Sequence, residues 1–448
     1  MLPLPTVCQN GKSAKSWRRS HGILELNHDP REDSRPVTTA LKARLESFKL
    51  GLGPRAWHNF RIDAGASVLF SFFNVVFNQF YLPMAIQQGA SNLQVGIISA
   101  APAVGLLFSP LWAAFIERSD PKPFVVIPNL IARALIVLPA FFGVPLAYVG
   151  AALLFQMLMG IQSPGYAALV IRMYPPETRG RLMGNTRVLM GGLMIPVAFL
   201  IGRWTDAAGP SGPLLFAAAT GVASILVFAR VKARKAAPPK LLGAKRFNFR
   251  EQLQLVKQNR EIAVFFLACT FTGFGNILAV PLYNIMQVDR LELSNTQIGI
   301  ARAVYYVCLL SAYFVTGRVI DKLSAKHTVA FGLAAFSTVP FCYALLGNYG
   351  AVLLGSGIQG LGDAIWDIGF LAYMFRLAPG REAIVVGLHF MLFGFRGTAG
   401  PLLSTYLADS VPLSYLLVGA GVCGLLGLTA FLAYNRGTLR VRGRSASL

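Results

Sequence analysis

The chain has 448 residues, of which 54% are hydrophobic and 13% charged, with a formal net charge of +22. About a quarter charged is usual for a soluble globular chain, so this composition excludes a soluble protein of this length and makes the bilayer its solvent. The basic residues lie between long apolar runs rather than over one soluble face, which excludes the nucleic-acid binding that such a charge would otherwise suggest.

Residues 1–60 carry no apolar stretch followed by a small-residue cleavage site, so no cleavable signal peptide is expected, and they read as a basic cytoplasmic tail without fixed structure. A helix needs about 20 apolar residues to cross the hydrocarbon core. Twelve segments meet that length: Ile62–Gln87, Leu93–Ile116, Pro123–Phe142, Pro145–Arg172, Met183–Ile201, Pro213–Ala229, Ile262–Met286, Thr296–Val319, His327–Leu346, Gly350–Phe375, Ala383–Leu407 and Leu413–Tyr434. The implied architecture is an all-α membrane protein with a six-helix bundle over 61–229, a basic linker over 230–261 holding Pro238 and Pro239, a second six-helix bundle over 262–434 and a basic tail over 435–448. The cysteines Cys8, Cys269, Cys308, Cys342 and Cys423 fall singly, without CxxC or metal-ligand spacing, and read as small buried hydrophobes.

Loops rich in lysine and arginine stay cytoplasmic. With the N-terminus inside, 36 of the 41 basic residues fall on the cytoplasmic side. Arg203 and Arg290 fall outside, and Arg133, Arg302 and Arg396 lie within spans. The expected topology is therefore N-in and C-in.

An internal repeat runs through the chain. Ser91-Asn92-Leu93-Gln94-Val95-Gly96-Ile97 recurs as Ser294-Asn295-Thr296-Gln297-Ile298-Gly299-Ile300, each copy opening an even-numbered helix. After a one-residue change of register, Ile116-Glu117-Arg118 answers Ile320-Asp321-Lys322, and Lys122 answers Lys326. Parallel repeats of six helices place a solute site between two bundles.

The run Gly317-Arg318-Val319-Ile320-Asp321-Lys322-Leu323-Ser324-Ala325-Lys326 resembles the GxxxD(R/K)xxx(R/K) signature of the major facilitator superfamily between helices 8 and 9. The first-half copy, Ala113 to Lys122, is degenerate, with alanine for the glycine and Glu117 for the aspartate. The resemblance spans about Arg61 to Tyr434, and the loop Pro175 to Arg181 is similar to the family's connection between helices 4 and 5. It implies two bundles related by a pseudo-two-fold axis. It also implies a central cavity lined by helices 1, 4, 7 and 10 and flanked by 2, 5, 8 and 11. Gly317, Asp321, Lys322, Lys326, Glu117, Arg118 and Lys122 would then form the gating motif, the glycine admitting close helix approach. The chain departs from the family's proton-antiporter patterns: Gln156 stands four residues before Gly160, where that pattern has arginine, and the fifth-helix pattern is incomplete around Gly191, Gly192 and Pro196.

Charged groups at mid-bilayer depth are costly and face a cavity or a partner. Asp363 and Asp367 lie one turn apart on one face of helix 10, and Arg396 in helix 11 falls at about the depth of Asp363. The expectation is an Asp363/Arg396 pair bordering the cavity, one of the two acids taking a proton during the cycle, with Arg302 nearer the outer end of helix 8. The competing reading is a structural salt bridge. Asp63 reads as a gate or capping residue, and Arg133 has no evident partner in sequence. The cavity wall is expected to include Asn74, Asn78, Tyr81, Gln156, Tyr166, Asn276, Tyr283, Gln359 and Trp366, amides and rings suited to a solute with hydrogen-bonding groups and an apolar body.

The chain holds no GxxxxGK(S/T) and no HExxH, so neither nucleotide-driven pumping nor zinc proteolysis is indicated. Expected instead is a non-enzymatic secondary transporter with no cofactor, driven by a proton or other ion gradient. It would be monomeric in the cell (inner or plasma) membrane, with the lipid bilayer and a small-molecule substrate as its partners and no nucleic acid. The leading reading is proton-linked export of a small organic solute. The alternatives are uptake of a sugar-like or anionic solute bound by Arg302 and Arg396, and a transporter-like sensor or assembly partner that no longer transports.

Overall fold

The computed structural model describes residues 52–116, 119–234, 254, 256–319, 325–377 and 382–445. They form α1 (Pro54–Gln87), α2 (Asn92–Leu107 continued by Ser109–Ile116), α3 (Pro121–Phe142), α4 (Pro145–Met173), α5 (Pro176–Ala208) and α6 (Ser211–Phe228). The second half has α7 (Arg260–Arg290), α8 (Asn295–Val319), α9 (Ala325–Leu346), α10 (Tyr349–Ile365 continued through Trp366–Phe370 and Leu371–Leu377), α11 (Glu382–Leu407) and α12 (Leu413–Ser445). Among the described residues ten helices are long and apolar enough to cross a membrane. The other two, α10 and α11, hold Asp363 and Asp367 and His389 and Arg396 within their length. The face on which α6 ends and α7 begins is called the linker face below, and the opposite one the far face.

Helix ends follow local chemistry rather than apolar length alone. Proline occupies an early position of α3, α4 and α5, where its missing N–H costs nothing. α1, α5 and α12 overrun the apolar windows of the sequence, starting at Pro54 and Pro176 and ending at Ser445. Polar turns extend a helix past the apolar stretch that marks it. The repeated Ser-Asn-x-Gln is a capping box in both halves. Ser91 N donates to Gln94 Oε1 (2.9 Å) and Ser294 N to Gln297 Oε1 (2.9 Å), while the serine hydroxyls accept from the glutamine N–H groups.

Packing repeats between the halves. α1 packs on α5 and α6, α4 on α2 and α3, and α3 on α6; six helices later α7 packs on α11 and α12, α10 on α8 and α9, and α9 on α12. The halves meet where α2 packs on α11 and α5 on α8. In lipid there is little hydrophobic drive between helices, so close approach depends on small residues. At the α2–α4 crossing a Cβ on Gly105 would sit 2.1 Å from the Gln156 carbonyl oxygen, and one on Gly160 would sit 2.1 Å from that of Gly105. Large apolar side chains point outward instead, among them Phe141, Leu345 and Phe395 at 73, 74 and 75% exposure, as a lipid-facing surface requires.

Candidate functional site

A cavity of about 320 Å3 lies between the halves, nearer the far face. α1 contributes Phe77, Asn78, Gln79 and Tyr81; α2 Ser99; α4 Gln156; α7 Tyr283 and Asn284; α8 Arg302 and Tyr305; α9 Tyr343; and α10 Ser356 and Gln359. Asn78, Tyr81, Gln156, Tyr283 and Gln359 are on this wall, together with Arg302. Asn74, Asn276 and Trp366 are not on it, and Tyr166 lines a separate cavity inside the first half. Trp366 instead stacks on Phe370 at 4.0 Å and meets Phe336 edge-on in the second half's core. Tyr81 is almost wholly buried, its hydroxyl donating to the Tyr148 carbonyl (2.8 Å), so it offers the cavity its ring.

Gln79, Asn284 and Tyr343 were missed. The π-helical turn Val76–Phe80 in α1, which contains Gln79, explains part of this. An extra residue in a turn rotates everything beyond it, so a face projected at 3.6 residues per turn drifts off the true one. Tyr343 lies on α9, a helix that the family pattern places at the periphery. α9 reaches the wall here, whereas α5 and α11 do not.

Two groups carry the cavity's electrostatics. Arg302 donates from Nη2 to Asn284 Oδ1 (3.2 Å) and Gln287 Oε1 (3.4 Å), and Gln287 in turn donates to the Tyr343 hydroxyl (2.9 Å). No carboxylate pairs with Arg302 among the described residues. Asp363 accepts from the Tyr305 hydroxyl on Oδ2 (2.8 Å) and from Gln359 Nε2 on Oδ1 (3.3 Å), both donors being wall residues. Asp367, exposed and within the π-helical turn Trp366–Phe370, accepts from Tyr313 (2.5 Å).

The Asp363/Arg396 pair does not form. Arg396, 4% exposed, donates to the Cys269 carbonyl (2.5 Å) and lies against Gly273 and beside the Phe393 ring. The reason is packing: α11 lies against α7 and α2, whereas α10 lies against α8 and α9. Equal depth on sequence-adjacent helices therefore does not bring the side chains together.

Of the gating motif, Asp321, Lys322, Glu117 and Arg118 lie outside the described residues, and Gly317 lies within α8. Lys326 Nζ pairs with Glu261 Oε1 (2.7 Å), which also accepts from Tyr373 (2.8 Å), tying α7, α9 and α10 at the linker face. Lys122 Nζ donates to the Val231 carbonyl (3.2 Å). Asp63 accepts from the Tyr174 hydroxyl (2.8 Å). Burial and the adjacent carboxylate push the Tyr174 phenol up, so it stays a donor.

The far face carries a tie that sequence reading did not find. Asp206, at the end of α5, accepts on Oδ1 from the Asn295 backbone (2.8 Å) and side-chain (3.0 Å) N–H groups, and on Oδ2 from the Thr296 N–H (2.8 Å) and hydroxyl (2.6 Å), so it caps α8. Asn92 at the head of α2 donates to Asp409 (2.7 Å). The sequence separation relating Asn92 to Asn295 also relates Asp206 to Asp409, so this is one contact made twice. Gln87 adds a bond to Asn295 (3.2 Å).

Two internally repeated helical halves with a cavity of aromatic and polar side chains between them are the architecture of a membrane transporter. The family model of the major facilitator superfamily matches residues 64–289 and 262–446, and the chain belongs to that superfamily. A search of curated protein sequences finds no match. Among solved structures, the fold is similar to that of a variant of the nucleoside transporter NupG (12% identity, 84% of this chain and 99% of that one, TM-score 0.66). It is also similar to an auto-inhibited POT family peptide transporter (13%, 86% and 97%, 0.64) and to a bacterial homologue of the human lysosomal transporter Spinster in an inward-facing state (12%, 87% and 98%, 0.61).

Proposed function

We propose that the chain is a proton-linked secondary transporter that moves a small organic solute across the cell membrane through the cavity between its halves. One observation carries the reading: the two side chains that hold Asp363, Tyr305 and Gln359, are themselves cavity wall. When the carboxylate is charged, it takes both donors. When it is protonated it becomes a donor itself, and Tyr305 and Gln359 turn to the solute. Protonation and solute occupancy thus compete for the same hydrogen bonds, which is the differential interaction a coupled cycle needs. The rings of Phe77, Tyr81, Tyr283, Tyr305 and Tyr343 favour an amphipathic cargo, and with it export. Nucleosides and short peptides, the cargo named for two transporters of similar fold, belong among the probes. In proteoliposomes of defined orientation, solute movement driven by an imposed pH gradient should require Asp363. Unchanged coupling in Asp363→Asn refutes this reading.

A second reading, uptake of an anionic solute, is favoured by Arg302, which meets the cavity with amide oxygens and, among the described residues, no carboxylate as partners. An anionic cargo would supply its counter-charge. Arg302→Gln would then raise KM for that cargo at least tenfold with little change in kcat.

A further inference from the structure

A second, partly open cavity of about 290 Å3 is lined by α1, α3, α4, α5 and α6 of the first half and shares no wall residue with the central one. On its wall is Arg133, 9% exposed. Its Nη1 donates to the Gly221 carbonyl (2.9 Å) and to the Ser224 hydroxyl, and the guanidinium lies over the Phe70 ring at 4.6 Å. Nε is buried without a partner, and among the described residues neither Nε nor Nη2 makes a hydrogen bond. No carboxylate pairs with it there either. Asp63 is on the same wall but accepts from Tyr174, and Arg187 adds a second cation, so the lining carries one net positive charge.

Packing does not account for this arginine. In the second half the corresponding place against α12 is held by Ser337. It packs on Gly424 as Arg133 packs on Gly221, and its hydroxyl closes on its own helix at Leu333 (2.7 Å). A small residue therefore suffices for that helix contact. A cation buried at membrane depth is costly, and one with donors left unbonded beside a cavity is a functional-site candidate.

We propose that this cavity is a binding site for a small aromatic or apolar monocarboxylate, distinct from the transport cavity. Arg133 takes the carboxylate through Nη2, which makes no hydrogen bond among the described residues, in a charge-assisted contact. Asn129, one turn earlier on α3, is on the same wall, and Phe155 and Tyr166 flank the ligand's apolar body. The site does not depend on the coupling scheme above.

The test uses the full-length protein purified in a nonionic detergent, titrated with benzoate and with its neutral isostere benzamide, and followed by thermal shift and calorimetry. Benzoate should stabilise saturably by mass action and benzamide should not. Arg133→Gln should weaken benzoate at least tenfold, and Arg302→Gln, in the central cavity, should leave it within twofold. Should Arg133→Gln fail to fold, Ser67→Phe fills the cavity with the arginine kept, and should also abolish binding. Absent binding, equal stabilisation by benzamide, full affinity in either cavity variant, or loss in Arg302→Gln alone overturns the proposal.

Discussion

Asp363 and Asp367 look equivalent as residues one turn apart, and the structure makes them different. Asp363 is half-buried and shares its donors with the cavity, while Asp367 is exposed and, among the described residues, bound only by Tyr313. Asp363→Asn should abolish pH-driven transport, whereas Asp367→Asn should reduce its rate by less than tenfold, measured as initial rates in proteoliposomes. Neutralising the acid deletes the proton site but keeps an amide of the same shape, so loss of coupling with normal folding isolates the charge. Arg396 carries a different expectation. Its one strong bond is to a backbone carbonyl of α7, and its Nε is buried without a partner. Arg396→Ala should cost about 1–3 kcal/mol of stability through the lost charged hydrogen bond, seen as a lowered thermal midpoint. A side chain's depth and period were legible in sequence. Its partner was not, because a partner depends on which helix lies alongside.

Helices and their order were largely legible, since 20-residue apolar windows, proline starts and the Ser-Asn-x-Gln cap are local signals. The π-helical turns in α1, α7 and α10 were not, and the one in α1 accounts for Gln79 being missed. The glycines at the α2–α4 crossing sit against backbone, which cannot yield as a flexible side chain can. Gly160→Val should therefore overpack the contact at about 1–3 kcal/mol, lowering the thermal midpoint, whereas Gly150→Val, where a Cβ meets nothing within 4 Å, should be tolerated. At the far face the two acid–asparagine contacts are a matched pair of latches. Removing both, in Asp206→Ala with Asp409→Ala, should shift the population toward a far-face-open state. With the native cysteines replaced, a Ser99→Cys probe on the cavity wall should then react with a membrane-impermeant maleimide from the far side at least tenfold faster, a factor that needs only about 1.4 kcal/mol of differential stability.

For the whole molecule, duplication sets the frame and the differences between copies set the chemistry. The pairs of packed helices recur between halves, and so do the caps and latches. What does not recur is the charge: Arg302 stands on the central wall from the second half, Asp363 lies behind the wall residues Tyr305 and Gln359, and Arg133 is buried in the first. The repeat was visible in the sequence through Ser91–Ile97 and Ser294–Ile300, and the membrane class through composition. The meeting of α2 with α11 and α5 with α8, which decides the wall and breaks the expected Asp363/Arg396 pair, arises only when the halves close on each other. Proton flux and solute flux measured together in one vesicle population test the central claim most directly. With the wild-type protein, a solute that moves should carry protons in a fixed ratio, and in Asp363→Asn solute exchange should persist while the accompanying proton flux disappears. Solute movement with no proton flux in the wild type, or an unaltered ratio in Asp363→Asn, would contradict the account.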